Sequence, residues 1–221
     1  MRLNKYIALH TPHSRRGADV LVAEKRVLVN GLPAKPGLEI KDGDIVTIDN
    51  KEVAAQGQPK ITTIMMNKPG GYVCSREGQG SHTIYELLPA EFAHLNSVGR
   101  LDKDSSGLLI LTNDGELANR LAHPRYEKVK TYDIELGKPL LPLHQQMVSD
   151  RGIDLDDGPS RLQIDKLDDQ GKQLRINMRE GRNRQIRRTL EALGYNVLSL
   201  HRIAFGDHQL GDLTEGEIKQ I

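Results

Sequence analysis

Residues Val98 to Glu116 read VGRLDKDSSGLLILTNDGE, which crowds Arg100, Asp102 and Asp104 into a short loop ahead of an unbroken apolar run. A carboxylate at the mouth of a buried strand is held rigid at the edge of the core. To stay ionised beside apolar surroundings it needs a guanidinium close by. A plain surface turn is the rival reading, because Asp, Ser and Gly are ordinary turn formers. A calcium loop is a third. Asp102, Asp104 and Ser106 alternate as hard oxygen ligands do at the start of such a loop, but the closing position, where a bidentate glutamate belongs, is Asn113.

The guanidinium has a source in "EGRNRQIRRTLEALG", where Ile186, Leu190 and Leu193 form an apolar helical stripe with Arg187 at its edge. Arg187 is the arginine expected to reach inward. Arg184 and Arg188 fall on the opposite side, as a solvated face or as phosphate contacts, and Arg182 and Arg184 are the substrate-binding candidates of the run. Net charge is only +1, but its distribution is uneven. Met1 to Lys35 holds seven basic residues against Asp19 and Glu24, and Arg175 to Arg188 holds six arginines against Glu180. Between them, Asp150 to Asp169 holds seven aspartates. Two basic stretches flank an acidic one, an asymmetry more informative than the net charge.

Elements must position these groups. In "SRRGADVLVAEKR", Ser14 reads as an N-cap, with Ala18, Leu21 and Val22 on one helical face. "VLVNGLPA" reads as a strand entering an Asn30-Gly31 turn, and "IKDGDIVTID" as a second turn and strand. "NKEVAAQGQPK", Asn50 to Lys60, is poor in large apolar residues and is the expected linker, with a boundary near residue 57. The expected domains are therefore 1–57 and 58–221. Beyond the linker, strand-like runs such as "TTIMMNK", "GLLILT", "KTYDIEL", "QLRINM" and "VLSLHRIAF" are interspersed irregularly with short helical patterns. That pattern predicts an α+β fold with a mixed, largely antiparallel sheet and flanking helices, after a small N-terminal unit.

Taken together, "GRLDKDSSGLLILTNDGELANRLAHP", "KTY" at 130 to 132, "EGRNRQIRR" and "VLSLHR" resemble, in order and spacing, the motifs of the ribosomal small-subunit pseudouridine synthase A family. "RLNKYIA", "SRR" and "RVLVNG" resemble the S-four RNA-binding domain that commonly precedes them. The resemblance implies isomerisation of uridine to pseudouridine in ribosomal RNA, without metal or cofactor. It makes Asp102 the essential carboxylate, either attacking C1′ or removing a ribose proton, and Arg187 its partner. Tyr132 stacks on the flipped uracil, Arg100 helps extrude the base, and Leu200 lies in the floor beneath it. Arg2, Lys5, Arg15, Arg16 and Arg26 become the RNA contacts of the first domain. The implied partner is ribosomal RNA or a subunit assembly intermediate, met by a monomer. A noncatalytic ribosome-associated RNA-binding protein is the alternative, although a carboxylate beside a basic cleft repels phosphate and serves no binding purpose.

Other features have plainer readings. His10 and His13 lack further metal ligands at suitable spacing, and "NKPGG" lacks the lysine and hydroxyl residue of a phosphate-binding P-loop. The single Cys74 provides no internal disulfide, no apolar stretch is long enough to span a membrane, and no signal-peptide h-region opens the chain. The expected compartment is the cytoplasm.

Overall fold

The computed structural model describes residues 1–54 and 60–221, and these form two compact units, Met1–Lys60 and Ile61–Ile221. The boundary expected near residue 57 lies outside the described residues.

In the first unit, helices α1 (Leu3–His10) and α2 (Arg15–Ala23) accompany strands β1 (Val27–Val29), β2 (Leu32–Pro33), β3 (Val46–Ile48) and β4 (Lys51–Glu52). Ser14 caps α2 as expected, its Oγ accepting the Gly17 N–H at 3.0 Å. Ala18, Leu21 and Val22 pack with Leu3, Ile7, Val27 and Val46 into a core of their own. Val29 and Leu32 pair across the two-residue turn, where Asn30 and Gly31 have φ of 52° and 80°. Positive φ at both positions is what a type I′ hairpin demands and what Asn-Gly supplies.

The second unit follows as β5 (Thr63–Lys68), β6 (Asn96–Ser97), β7 (Ser106–Thr112), α3 (Gly115–Ala122), β8 (Lys130–Leu136), α4 (Pro142–Gln146), β9 (Ile153–Leu155), β10 (Gly158–Ser160), β11 (Gln163–Lys166), β12 (Gln173–Met178), α5 (Gln185–Glu191), β13 (Val197–Phe205), β14 (His208–Gln209) and β15 (Ile218–Gln220). The main sheet runs β11-β12-β8-β13-β7-β5-β15, with β14 on β13 and β6 on β7. Among the described strands of this sheet, only the β13–β7 pairing is parallel, so the mixed, largely antiparallel sheet predicted from sequence is the one observed.

The unbroken apolar run of β7 has a simple cause. Leu109 and Leu111 enter the larger core with Ile64, Ile134, Ile186 and Leu190, while Leu108 and Ile110 enter a second core with Leu121, Phe205 and Leu210. Side chains alternate between faces, so a strand buried on both sides is apolar at every position. At about 1.5–3 kcal/mol for each fully buried aliphatic side chain, β7 is among the firmest anchors in the sheet, and the Asp102 loop leads directly into it. Gly107 makes the junction possible. It has φ +103°, and a Cβ there would lie 2.3 Å from the Arg202 carbonyl oxygen and 2.5 Å from its nitrogen. The parallel approach of β13 therefore requires glycine at this motif position.

Candidate active site

Lys68, at the end of β5, is completely buried, and its ammonium donates to the carbonyl oxygens of Pro69 (2.9 Å), Asp102 (3.2 Å) and Ser105 (2.7 Å). Three donors meet three acceptors, tying both ends of the Asp102–Ser105 turn to the sheet. Burial lowers the Lys68 pKa, an effect opposed by the charges of Cys74, Asp102 and Asp104. Cys74 holds the preceding residue, its Sγ bonding both the N–H and the carbonyl of Leu101 at 3.4 Å. The carboxylate of Asp102 is thus carried on a backbone pinned from two directions.

That carboxylate opens into a cavity of about 330 Å³, together with Tyr132 from β8 and Leu200 from β13. Arg100, Arg182, Arg184 and Arg187 line the same cavity, so every residue proposed from sequence as catalytic or substrate-binding is brought to one place. Tyr132 is buried by the alternation of β8, which sends Ile134 and Leu136 to the same face. Leu200 is also buried. Two further cations line the wall. Arg202 is 1% exposed, donates from Nε to the Leu108 carbonyl at 2.7 Å, and places its guanidinium 4.9 Å from the Phe205 ring centre and 6.0 Å from that of Tyr132. Lys130 lies 5.3 Å from the Phe205 ring centre, its pKa lowered by burial and then by the Arg202 charge.

The expected ion pair is corrected in its partners. Arg187 does turn inward, with its side chain 11% exposed, but the carboxylate it meets is Asp104, 3.4 Å from Nε. Its other nitrogens donate to the carbonyls of Asp104 (3.0 Å) and Val197 (2.8 Å). Among the described residues, the guanidinium within 4 Å of Asp102 belongs to Arg184, whose Nη1 is 3.8 Å from Oδ2. Arg184 also grips Asp104 with both terminal nitrogens, at 2.9 and 3.2 Å. The physical reason is local. The helix starts at Gln185, and Arg184 caps it in the left-handed region at φ 46°, which removes it from the helical face expected for it. Asp104 is therefore the common acceptor of two arginines. Burial pushes its pKa up, but the Arg184 hydrogen bonds and the charges of Arg187 and Arg184 outweigh this and lower it.

Arg182, expected to face substrate, is wrapped by the β9–β10 turn. Its Nη1 donates to the carbonyls of Asp157 (3.0 Å) and Gly158 (2.8 Å) and to Asp157 Oδ1 (2.9 Å), and its Nη2 donates to the Pro159 carbonyl (2.8 Å). Arg188 takes the other oxygen of Asp157 at 2.7 Å. One aspartate of the acidic stretch thus fastens a hairpin to the arginine run. In the first unit, Arg2, Arg15 and Arg16 are exposed and Lys5 is half-buried, while Arg26 is engaged by Asp49 at 2.8 and 2.6 Å and by Glu24 at 3.1 Å. Sequence reading missed Lys68, Arg202 and the role of Asp104. "NKPGG" and "VLSLHR" contain the first two, but nothing in their spacing signals a buried cation.

A family described as RNA pseudouridylate synthase matches residues 62–192, a span that holds Asp102, Tyr132 and Arg187. The chain belongs to the RNA pseudouridylate synthase family. The S4 domain family matches residues 1–46. An uncharacterized RNA pseudouridine synthase of Aquifex aeolicus is 37% identical over the whole chain and 90% of its own length. Ribosomal small subunit pseudouridine synthase A of Pasteurella multocida is 35% identical over the whole chain and 96% of its length. Ribosomal large subunit pseudouridine synthase B of Bacillus subtilis is 34% identical, over the whole chain and 91% of its length. A crystal structure of a pseudouridylate synthase superposes with a TM-score of 0.71 at 30% identity, covering all of this chain and 96% of the other. The pseudouridine synthase fold and the isomerase class of this chain follow from these likenesses. No described helix is long and apolar enough to cross a membrane.

Proposed function

We propose that this chain isomerises one uridine of ribosomal RNA to pseudouridine in the cavity around Asp102. One observation carries the reading: an immobilised carboxylate, a buried tyrosine and an apolar leucine share a cavity walled by arginines. A uridine in a helical stem reaches such a cavity only by leaving its stack, at a cost of a few kcal/mol. Arg100, exposed and lining the cavity, assists that extrusion. Tyr132 and Leu200 offer apolar surface to a uracil ring, and the cations of the wall suit the negative charge that develops as N1 leaves C1′.

The reaction breaks the C1′–N1 bond, turns the uracil, forms C1′–C5, releases the C5 proton and leaves N1 protonated by solvent, so that uridine and product are isomers. Asp102 acts at the sugar, by attack on C1′ or by removal of a ribose proton, and both routes need its carboxylate ionised. Tyr132 holds the ring while it turns and helps take up the C5 proton. The first unit binds RNA phosphates through Arg2, Lys5, Arg15 and Arg16. Arg15 and Arg16 occupy the first turn of α2, where a positive charge opposes the helix dipole, so an external anion gives them a better partner than their own helix does. The chain works in the cytoplasm as a monomer, on free ribosomal RNA or on an assembling subunit.

The test uses purified protein with transcripts of both ribosomal RNAs labelled with tritium at uridine C5. Stoichiometric tritium release at one site is expected from the wild type and none from Asp102→Asn, with RNA affinity retained. RNA binding without release on either transcript would leave the noncatalytic reading in its place.

A further inference from the structure

The sheet end that carries Tyr132 has a second face. Tyr132, Ile134 and Leu136 point to the core, so Thr131 belongs to the opposite side of β8. In register across the sheet, Thr131 stands beside Asn177 of β12, and Asn177 beside Gln163 of β11. Two residues further along, just beyond the strand ends, come the exposed Val129, Arg179 and Arg161. Asn177, Gln163 and this second row line a cavity of about 520 Å³, and Pro124, Met178, Arg179 and Glu180 belong to its wall and to that of the Asp102 cavity. A strand leaving one cavity meets the other next.

Resting on the isomerase reading, we propose that this second cavity binds an unpaired nucleotide flanking the target uridine in the RNA chain. Its groups match the parts of a nucleotide. Val129 and Pro124 present an apolar ledge to the face of a base. Thr131 Oγ1 donates to Asn177 Oδ1 at 2.8 Å, which commits the amide oxygen and leaves Nδ2 to donate. Gln163, exposed beside it, offers both a donor and an acceptor. Such amides read a base edge only when that edge is free of its pairing partner. Arg161 and Arg179 supply charge for the phosphate. Arg161 donates to the Arg151 carbonyl through Nε at 3.3 Å, which leaves its terminal nitrogens to an anion. Arg179 bonds Glu127 at 3.2 Å, and with both side chains about two-thirds exposed (69% and 68%) this pair opens at little cost. The site accounts for how an enzyme that reaches a single uracil reads the sequence next to it.

The test places a photoreactive p-benzoylphenylalanine at the exposed position 163 of the full chain and irradiates it with transcripts of both ribosomal RNAs. The uridine converted by the unmodified protein is mapped in parallel. Crosslinking within about two nucleotides of that uridine is expected, and the double variant Asn177→Ala/Arg161→Ala is expected to raise KM about tenfold with kcat unchanged. Crosslinking elsewhere, or KM within about twofold of wild type, overturns the site while conversion by the wild type leaves the isomerase reading standing. No conversion of any uridine overturns both.

Discussion

Arg184 places both terminal nitrogens on the Asp104 carboxylate, at 2.9 and 3.2 Å, while Nη1 stands 3.8 Å from Asp102. Asp104 thus holds a cation close to the Asp102 carboxylate yet off it. A guanidinium released from Asp104 would settle on Asp102 as a direct pair, masking the oxygen proposed to act on the sugar.

Asp104→Asn is therefore expected to slow single-turnover pseudouridine formation by about 10–100-fold with RNA affinity nearly unchanged, whereas Asp102→Asn abolishes turnover. The Asp104 variant also has a pH signature. The native pKa of Asp104 lies below its ordinary 3.8, so its contribution to stability is present above that value and lost as pH falls through the native pKa. Urea denaturation should show wild type more stable than Asp104→Asn near neutrality, with the gap closing below about pH 4. A gap that widens in acid would refute the assignment.

Arg184 and Arg187 should separate turnover from stability. Arg187→Ala removes an 11%-exposed side chain and orphans the carbonyls of Val197 and Asp104, so a loss of about 1–3 kcal/mol of folding stability is expected along with lost activity. Arg187→Lys keeps the charge without the planar fork and should recover part of both. Arg184→Ala, at a side chain 44% exposed, should change stability by less than about 1 kcal/mol while slowing turnover about tenfold. Arg188, on Asp157 and away from both carboxylates, should leave turnover near wild type when replaced by Ala. Denaturant titrations beside single-turnover assays on the same four proteins decide the matter.

Local rules carried the sequence reading where a pattern has one structural solution. Ser14 caps α2 because its hydroxyl has a free N–H three residues ahead, and Asn30-Gly31 turns because both residues tolerate positive φ. The run from Leu108 to Leu111 announced a strand buried on both faces, which made the neighbouring Asp102 conspicuous. The ion-pair partners were not legible. A helical wheel assumes that the helix has already begun, and Arg184 lies one residue before it in a left-handed turn. Lys68 and Arg202 escaped for a different reason. A cation in sequence reads as surface, and what buries these two is a set of backbone carbonyls from distant segments, Asp102 and Ser105 for one and Leu108 for the other.

Gly107 should be irreplaceable on geometric grounds alone. Gly107→Ala brings a methyl group to 2.3 Å from the Arg202 carbonyl oxygen at φ +103°, so β13 must move away from β7 directly behind the Asp102 loop. A loss of about 3 kcal/mol or more is expected from thermal denaturation. Gly115→Ala is the control, since a Cβ there meets nothing within 4 Å and the residue opens α3; it should be neutral or stabilising by up to about 1 kcal/mol.

The first unit offers a prediction that distinguishes arginines by what already holds them. Arg15 and Arg16 are exposed on the first turn of α2, whereas the Arg26 guanidinium is shared between Asp49 and Glu24, which raise its pKa above the ordinary value. An arginine whose charge is neutralised within the protein releases few counterions when RNA binds, because its carboxylates must first give it up. In the full chain, Arg15→Ala/Arg16→Ala should weaken RNA binding and reduce the slope of log affinity against log salt by about 1.5, from roughly 0.7–0.9 for each phosphate that an arginine no longer neutralises. Arg26→Ala should leave that slope unchanged and lower thermal stability instead, since Asp49 loses a bidentate partner at the end of β3. Filter binding across a salt series with one ribosomal RNA transcript measures all three proteins. An equal change of slope in Arg26→Ala would mean that RNA opens the Asp49 pair on binding, and an unchanged slope in the double variant would remove α2 from the RNA-binding surface.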